Sequence, residues 1–516
     1  MMKCIKEKIV VLMIFTLMIL IGVKYCNDKN GYYLDEIYTY GLSNSEYAPW
    51  IMDLKDGDIR NKIITRQEMM DFLTVGENDR FNYSSVYYNQ TKDVHPPLYY
   101  FLIHTISSIF TGTFSEWIGL GLNLILYLMT LSLLYHLIYK HFGSRENALI
   151  VTVMYGLSHI GLSTMMFIRM YMLLTFLTLL LAYLVLEHMK NPKKKLYAAI
   201  AITIFLGMIT QYYFVIYAFC VCAVYDIYLL GKKEYKKFAL FSASALSGVV
   251  AMLFFFPHFR TQLSLQETVS MDKTIHNAQS VKKWIPRIIE MCSEASENIK
   301  IIFPMFLILV VGLLIALWKK NCNLKKYSHT LIVIVPAFIA YIIVCIIAPY
   351  VTERYIYHLI PLMLLMLSYL FSISEKNWKK IISYGILGVV ILVSVQSLRD
   401  KKPDYVYDHS EFNMEIAGNS DAPCIFVSEN SSPSITCALP QLVYFDEVLV
   451  VDESGLKEIN QYLQKYSETD RVVAFLAAVP KMTEIDLVWQ QLLDEGYVEY
   501  NQIYENEFIS SYIFQR

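Results

Sequence analysis

Apolar residues gather into long blocks along most of this chain and return to short alternating runs only near its end. The blocks lie near 9–26, 97–111, 117–139, 147–163, 165–188, 197–211, 212–230, 237–257, 298–318, 329–348, 355–373 and 379–398. Most approach the ~20 residues that a helix needs to cross a bilayer core. The pattern beyond residue 400 is different. Residues 422–429, 447–452 and 471–479 read as buried strands, and 456–466 and 484–496 as amphipathic helices. That alternation predicts a small α/β domain.

Lysine and arginine set the sidedness, because they accumulate on the cytoplasmic side. Clusters fall at Lys3/Lys6/Lys8, Lys140/Arg145, Lys190–Lys195, Lys232–Lys237, Lys319–Lys326 and Lys376–Lys380. All of them face inward if the run at 97–111 does not cross. This short run opens with Pro96-Pro97 and contains His104, so it reads as a helix lying in the outer interface. The expected fold class is therefore an α-helical polytopic membrane protein of eleven transmembrane helices. The transmembrane module covers 1–398, with outer loops 27–116 and 258–297, and residues 399–516 form an extracytoplasmic α/β domain. The N-terminus is cytoplasmic. The first span reads as uncleaved, since KYCNDKN after it has no small-x-small pattern.

Composition agrees with a bilayer partner. Of the 516 residues 55% are apolar and 17% charged, against about 25% charged in soluble domains. A net charge of −2 without a basic, aromatic-interleaved patch excludes a nucleic-acid partner. The nine cysteines have no metal-ligand spacing, although Cys424 and Cys437 share the outer domain, where a disulfide can form.

Several polar residues then stand out on the outer side. Asp35 and Glu36 follow Tyr32-Tyr33-Leu34 just beyond the first span. They read either as solvated loop acids or as a partly desolvated base, whose burial raises its proton affinity. Asp93 and His95 precede the stiff Pro96-Pro97 turn, which either only anchors a helix or holds the two at a fixed distance from Asp35. Arg169 and Tyr171 open a span. An arginine there either snorkels or clamps an anion through its guanidinium fork. Arg354 and Tyr355, in TERYIYH, invite the same reading. Asp56 and Asp58, in DGD, match a divalent-ion pattern that three residues also produce by chance.

The acid pair in the long first outer loop, the run His95-Pro96-Pro97-Leu98-Tyr99-Tyr100 and the run Arg169–Leu174 together resemble the GT-C glycosyltransferases. More narrowly, they resemble the branch related to protein O-mannosyltransferases and to the lipid A aminoarabinose transferase. The resemblance covers residues 1 to about 400. It implies inverting transfer of a sugar from a polyprenyl-phosphate donor to an acceptor hydroxyl on a glycan, lipid or protein, at the outer face of the cell membrane. Asp35 is then the base, with Glu36 beside it. His95, Arg169 and Tyr171 match the family's motifs and bind substrate, while Asp93, Arg354 and Tyr355 join them by their own chemistry, and no cofactor is expected. The rivals are a transporter or flippase of lipid-linked saccharide, and a transferase using a diphosphate-linked glycan and a divalent metal at Asp56 and Asp58.

Overall fold

The computed structural model describes residues 2–264, 269–298, 327–373, 379–427, 432–466, 469–477 and 482–516. The expected span at 298–318 lies outside these residues. The chain divides into two compact units, one built from Met1–Cys26, Val94–Tyr99 and Leu120–Asp404 and the other from Asn27–Asp93, Tyr100–Gly119 and Tyr405–Arg516.

The first unit is helical, as a lipid environment demands, because a helix satisfies its own backbone polar groups. Among the described residues six helices are long and apolar enough to cross a membrane. They are Lys8–Asp28, Glu116–Phe142, Tyr171–Lys190, Phe214–Gly231, Tyr235–Phe255 and Ser328–Ile347. A seventh candidate is the pair Arg145–Gly156 and His159–Met166, bent by 57°. Ser158 caps the second half of that pair, its Oγ accepting the Gly161 N–H at 2.9 Å. The chain is thus a multi-pass membrane protein. Helix Leu98–Ile109 is apolar but only 12 residues long, about 18 Å at 1.5 Å per residue, against a core of about 30 Å.

Helix packing inside this unit uses small residues. Helix Lys194–Met208 lies against Tyr235–Phe255, where a Cβ on Gly248 would stand 2.4 Å from the Ala201 carbonyl oxygen. Only a residue without a side chain allows that approach.

The second unit is α/β. Its six strands are β1 (Lys62–Thr65), β2 (Cys424–Val427), β3 (Glu447–Val451), β4 (Arg471–Ala477), β5 (Glu499–Glu505) and β6 (Ile509–Gln515), in the order β1-β3-β2-β4-β6-β5. The central three are parallel and the flanking pairs antiparallel. Ile425, Val427, Leu449, Val451 and Ala474 pack with Ile459, Leu463, Val488 and Leu492 into a closed apolar core. Buried parallel strands read as continuous apolar runs, which is why β2, β3 and β4 were visible in the sequence.

Two features were not settled by the sequence. The segment 27–93 contributes a strand to the sheet, because its β1 pairs with β3, Ile63 opposite Leu449 and Ile64 opposite Val448. A four-residue strand whose partner lies more than 380 positions away leaves no local signature. Cys424 and Cys437 are free thiols. Cys424 is buried on β2, whereas Cys437 accepts from Asn506 and has its thiol pushed up to about 11 by burial.

Candidate active site

The acid pair begins helix Leu34–Asn44, and its two carboxylates have different surroundings. Glu36 is completely buried. Lys29 Nζ donates to its Oε1 at 3.0 Å and its Oε2 at 2.8 Å, and the Tyr33 N–H donates to Oε2 at 2.8 Å. Both oxygens therefore serve the fold: one ion pair and one cap for the first turn. Asp35, one residue earlier, is half-buried. Its carbonyl oxygen accepts from Thr39 Oγ1 at 3.0 Å. Asp93 closes helix Tyr83–Lys92, is 8% exposed, and accepts from the Tyr100 hydroxyl at 3.4 Å. These three acids belong to the second unit.

His95, Arg169, Tyr171, Arg354 and Tyr355 belong to the first. Arg169 is 4% exposed, and its Nη2 lies 3.3 Å from each ring nitrogen of His95. The segment before it is pinned by Asn123, whose Nδ2 donates to the carbonyls of Met165 at 3.0 Å and Phe167 at 2.7 Å. Asn123 Oδ1 in turn accepts from Tyr99 at 3.0 Å, so one amide ties the Arg169 segment to the helix that begins just after His95. The Leu98 N–H, one of the unpaired donors of that helix start, reaches the Ile209 carbonyl at 2.9 Å.

A second set centres on Tyr213, which is within electrostatic reach of Tyr355, Tyr171, Arg354 and Arg287. The Tyr213 and Tyr355 rings lie 5.1 Å apart, and Tyr171 packs between Phe167 at 5.5 Å and Tyr357 at 6.2 Å. The Arg354 guanidinium stands 5.5 Å from the Tyr355 ring centre, at cation–π distance. The chain just before Arg354 is held by residues of the helices Val269–Gln279 and Val281–Asn298. Asn277 Nδ2 donates to the Ala348 carbonyl at 2.9 Å, Arg287 Nη2 donates to the same oxygen, and Lys273 lies 4.3 Å over the Tyr350 ring. Ala348 ends helix Leu331–Ile347, where free carbonyls and the helix dipole favour a cation.

Sequence reasoning missed Lys29, Asn123, Tyr213 and Arg287. Asn123 carried a usable signal, as a strongly polar side chain in an apolar span. Lys29 and Arg287 had none, because each sits among other basic or polar loop residues.

The DGD motif has a simpler explanation. Arg60 grips Asp58 through Nε at 3.0 Å and Nη2 at 2.9 Å, and this pairing holds the carboxyl at about 2. A carboxylate engaged on both oxygens by a guanidinium is a poor metal ligand. Among the described residues no group of three or more His, Cys, Asp and Glu has metal-binding geometry.

Taken unit by unit, the buried guanidinium and phenol groups of the first can stabilise an anion such as phosphate, and the half-exposed carboxylate of the second can take a proton. The family model described as dolichyl-phosphate-mannose-protein mannosyltransferase matches residues 94–260, the stretch that holds His95, Asn123, Arg169 and Tyr171. Over that stretch the chain is similar to this mannosyltransferase family. ArnT from Cupriavidus metallidurans bound to undecaprenyl phosphate has the same fold, at 10% identity and a TM-score of 0.56 over 98% of this chain and 97% of that one. Its apo form gives 0.52 at the same identity and coverage. No curated protein matches the chain by sequence.

Proposed function

We propose that this protein is a glycosyltransferase that moves a sugar from a polyprenyl-phosphate carrier to an acceptor hydroxyl at the outer face of the membrane, inverting the anomeric carbon. Asp35 removes the proton as the acceptor oxygen attacks. The bond between the anomeric carbon and the phosphate oxygen breaks on the opposite face, and the electron pair leaves with the phosphate. Arg169 and Arg354 stabilise that charge through fixed N–H donors. Tyr171, Tyr355 and His95 orient the donor, and Glu36 holds the helix that carries Asp35. Asp93 helps bind the acceptor. The orientation that goes with this reading has eleven spans, a cytoplasmic N-terminus and an extracytoplasmic 399–516.

The observation that carries the reading is Arg169. Its guanidinium is 4% exposed at the edge of an apolar span, with Nη2 3.3 Å from a ring nitrogen of His95, and its planar fork matches phosphate oxygens. The ArnT structure with undecaprenyl phosphate supplies the matching ligand class. The test is to supply membranes containing the protein with radiolabelled polyprenyl-phosphate sugars and to determine the anomeric configuration of the labelled product. Inverted product supports the proposal. Retention of configuration, or labelling only from a diphosphate-linked donor, contradicts it.

A further inference from the structure

Burying two charges costs several kcal/mol per ion before their attraction is counted. The Lys29–Glu36 pair does so with both side chains fully shielded from solvent, 2.8 Å apart. Neither group is assigned a part in bond making above, so the burial asks for a reason.

The geometry supplies one. Lys29 Nζ donates to the Tyr405 carbonyl at 2.6 Å as well as to Glu36, and stands 5.6 Å from the Tyr407 ring centre. Around it the chain stretches run together. The Asn30 N–H donates to the Tyr407 carbonyl and the His409 N–H to the Asn30 carbonyl, both at 2.8 Å. The Tyr33 ring stacks on Tyr407 at 6.2 Å and meets Tyr405 edge-on at 5.8 Å. A Cβ at Gly31 would come within 2.6 Å of His409 Nδ1, so the approach requires glycine. Glu36 meanwhile caps the turn that contains Asp35.

We propose that Lys29 is a positioning residue: with Glu36 it clamps the first turn of helix Leu34–Asn44 to residues 405–409 and thereby sets where the Asp35 carboxylate stands. This rests on the reading of Asp35 as the base. On this account the segment from Tyr405 onward supports catalysis directly, and is not an appended acceptor module alone. Aromatic packing of Tyr33 on Tyr407 restrains the segments in distance, and the ion pair with its cap holds the rotation of the helix start.

The experiment uses the full chain in nanodiscs. The double variant Lys29→Met/Glu36→Leu removes the clamp without stranding a buried charge. Glu36→Gln keeps an oxygen for Tyr33 and weakens only the ionic part. Two quantities are measured: affinity for undecaprenyl phosphate, and the transfer rate from whichever labelled polyprenyl-phosphate sugar wild-type membranes use. The expected result is carrier affinity within twofold of wild type and transfer slowed by about 10²-fold in the double variant, the size of effect an ångström-scale misplacement causes. For Glu36→Gln a loss of about tenfold is expected. Wild-type transfer in a folded double variant overturns the proposal. If the double variant does not fold, Glu36→Gln decides by the same criterion: wild-type rate overturns, a kinetic loss at unchanged carrier affinity supports. Asp35→Asn separates the two levels. If it is inactive while the clamp variants are normal, only the positioning role falls; if it is active, the base itself is wrongly assigned.

Discussion

Arg169 and His95 are 74 positions apart in sequence, yet the guanidinium Nη2 sits 3.3 Å from both nitrogens of the imidazole. An imidazole carries no negative charge, so His95 holds the guanidinium in place without cancelling its charge. The pair is thus an oriented cation, suited to a leaving phosphate.

Arg169→Lys tests that orientation. Lysine keeps the charge but loses the planar fork and its paired donors. Transfer is expected to fall by about 10²–10³-fold, the usual effect of removing a preorganised transition-state donor, with Arg169→Ala no more than slightly worse. A lysine variant with near-normal kcat/KM would show that charge alone suffices.

Asn123→Ala removes one amide that serves Tyr99, Met165 and Phe167 together. Buried carbonyls lose their donor, which costs about 1–3 kcal/mol each when left unsatisfied. Thermal unfolding in detergent is expected to shift downward, and transfer to fall with it, because the Arg169 segment loses its anchor. Unchanged melting and unchanged rate would contradict the assigned contact.

Stability of the α/β unit is expected to depend on pH through His409. Burial lowers its proton affinity below the ordinary value, with Lys29 adding to the shift and Asp408 opposing it. Its Nε2 lies 3.3 Å from the Tyr504 hydroxyl, and its ring packs against Tyr407. The unfolded chain therefore binds the proton more readily than the folded one. The stabilisation is complete above the ordinary histidine range, about 6.5, and is lost as pH falls from there through the lowered folded value. Melting temperature measured from pH 8 to 5 should drop over the acid half of that range, and His409→Gln should flatten the drop.

Gly31→Ala is expected to weaken the same region at any pH, because its methyl group meets the His409 ring at 2.6 Å. Overpacking of this kind costs about 1–3 kcal/mol. Limited proteolysis of the full chain should show faster cleavage near residues 405–409; an unchanged pattern would mean the ring simply moves aside.

The apolar blocks announced most of the helices because lipid forces long uninterrupted runs, and β2, β3 and β4 were equally plain as buried strands. β5 and β6 were not, since β5 is an exposed edge strand whose Glu499, Asn501 and Gln502 break any apolar alternation. Candidate site residues stood out wherever polarity violates the local rule, as at Arg169 in an apolar span or Asp35 among tyrosines. They were illegible wherever a residue matters only through a distant partner. Lys29 looks like any lysine beyond a span, and only the fold brings it to Glu36 and the Tyr405 carbonyl. Equally, Asp35 and Glu36 read as twins, and their division into a half-exposed and a fully buried acid depends on that lysine.

The account stands on Asp35 as the group that takes the acceptor proton. Asp35→Asn keeps the shape of the side chain and removes its basicity, so the decisive comparison is single-turnover transfer by wild type and Asp35→Asn from the same labelled polyprenyl-phosphate sugar, with undecaprenyl phosphate affinity measured in parallel. The expected result is intact carrier affinity with transfer slowed by about 10²–10⁴-fold, the range of a lost general base. Transfer at the wild-type rate by the asparagine variant would refute the assignment.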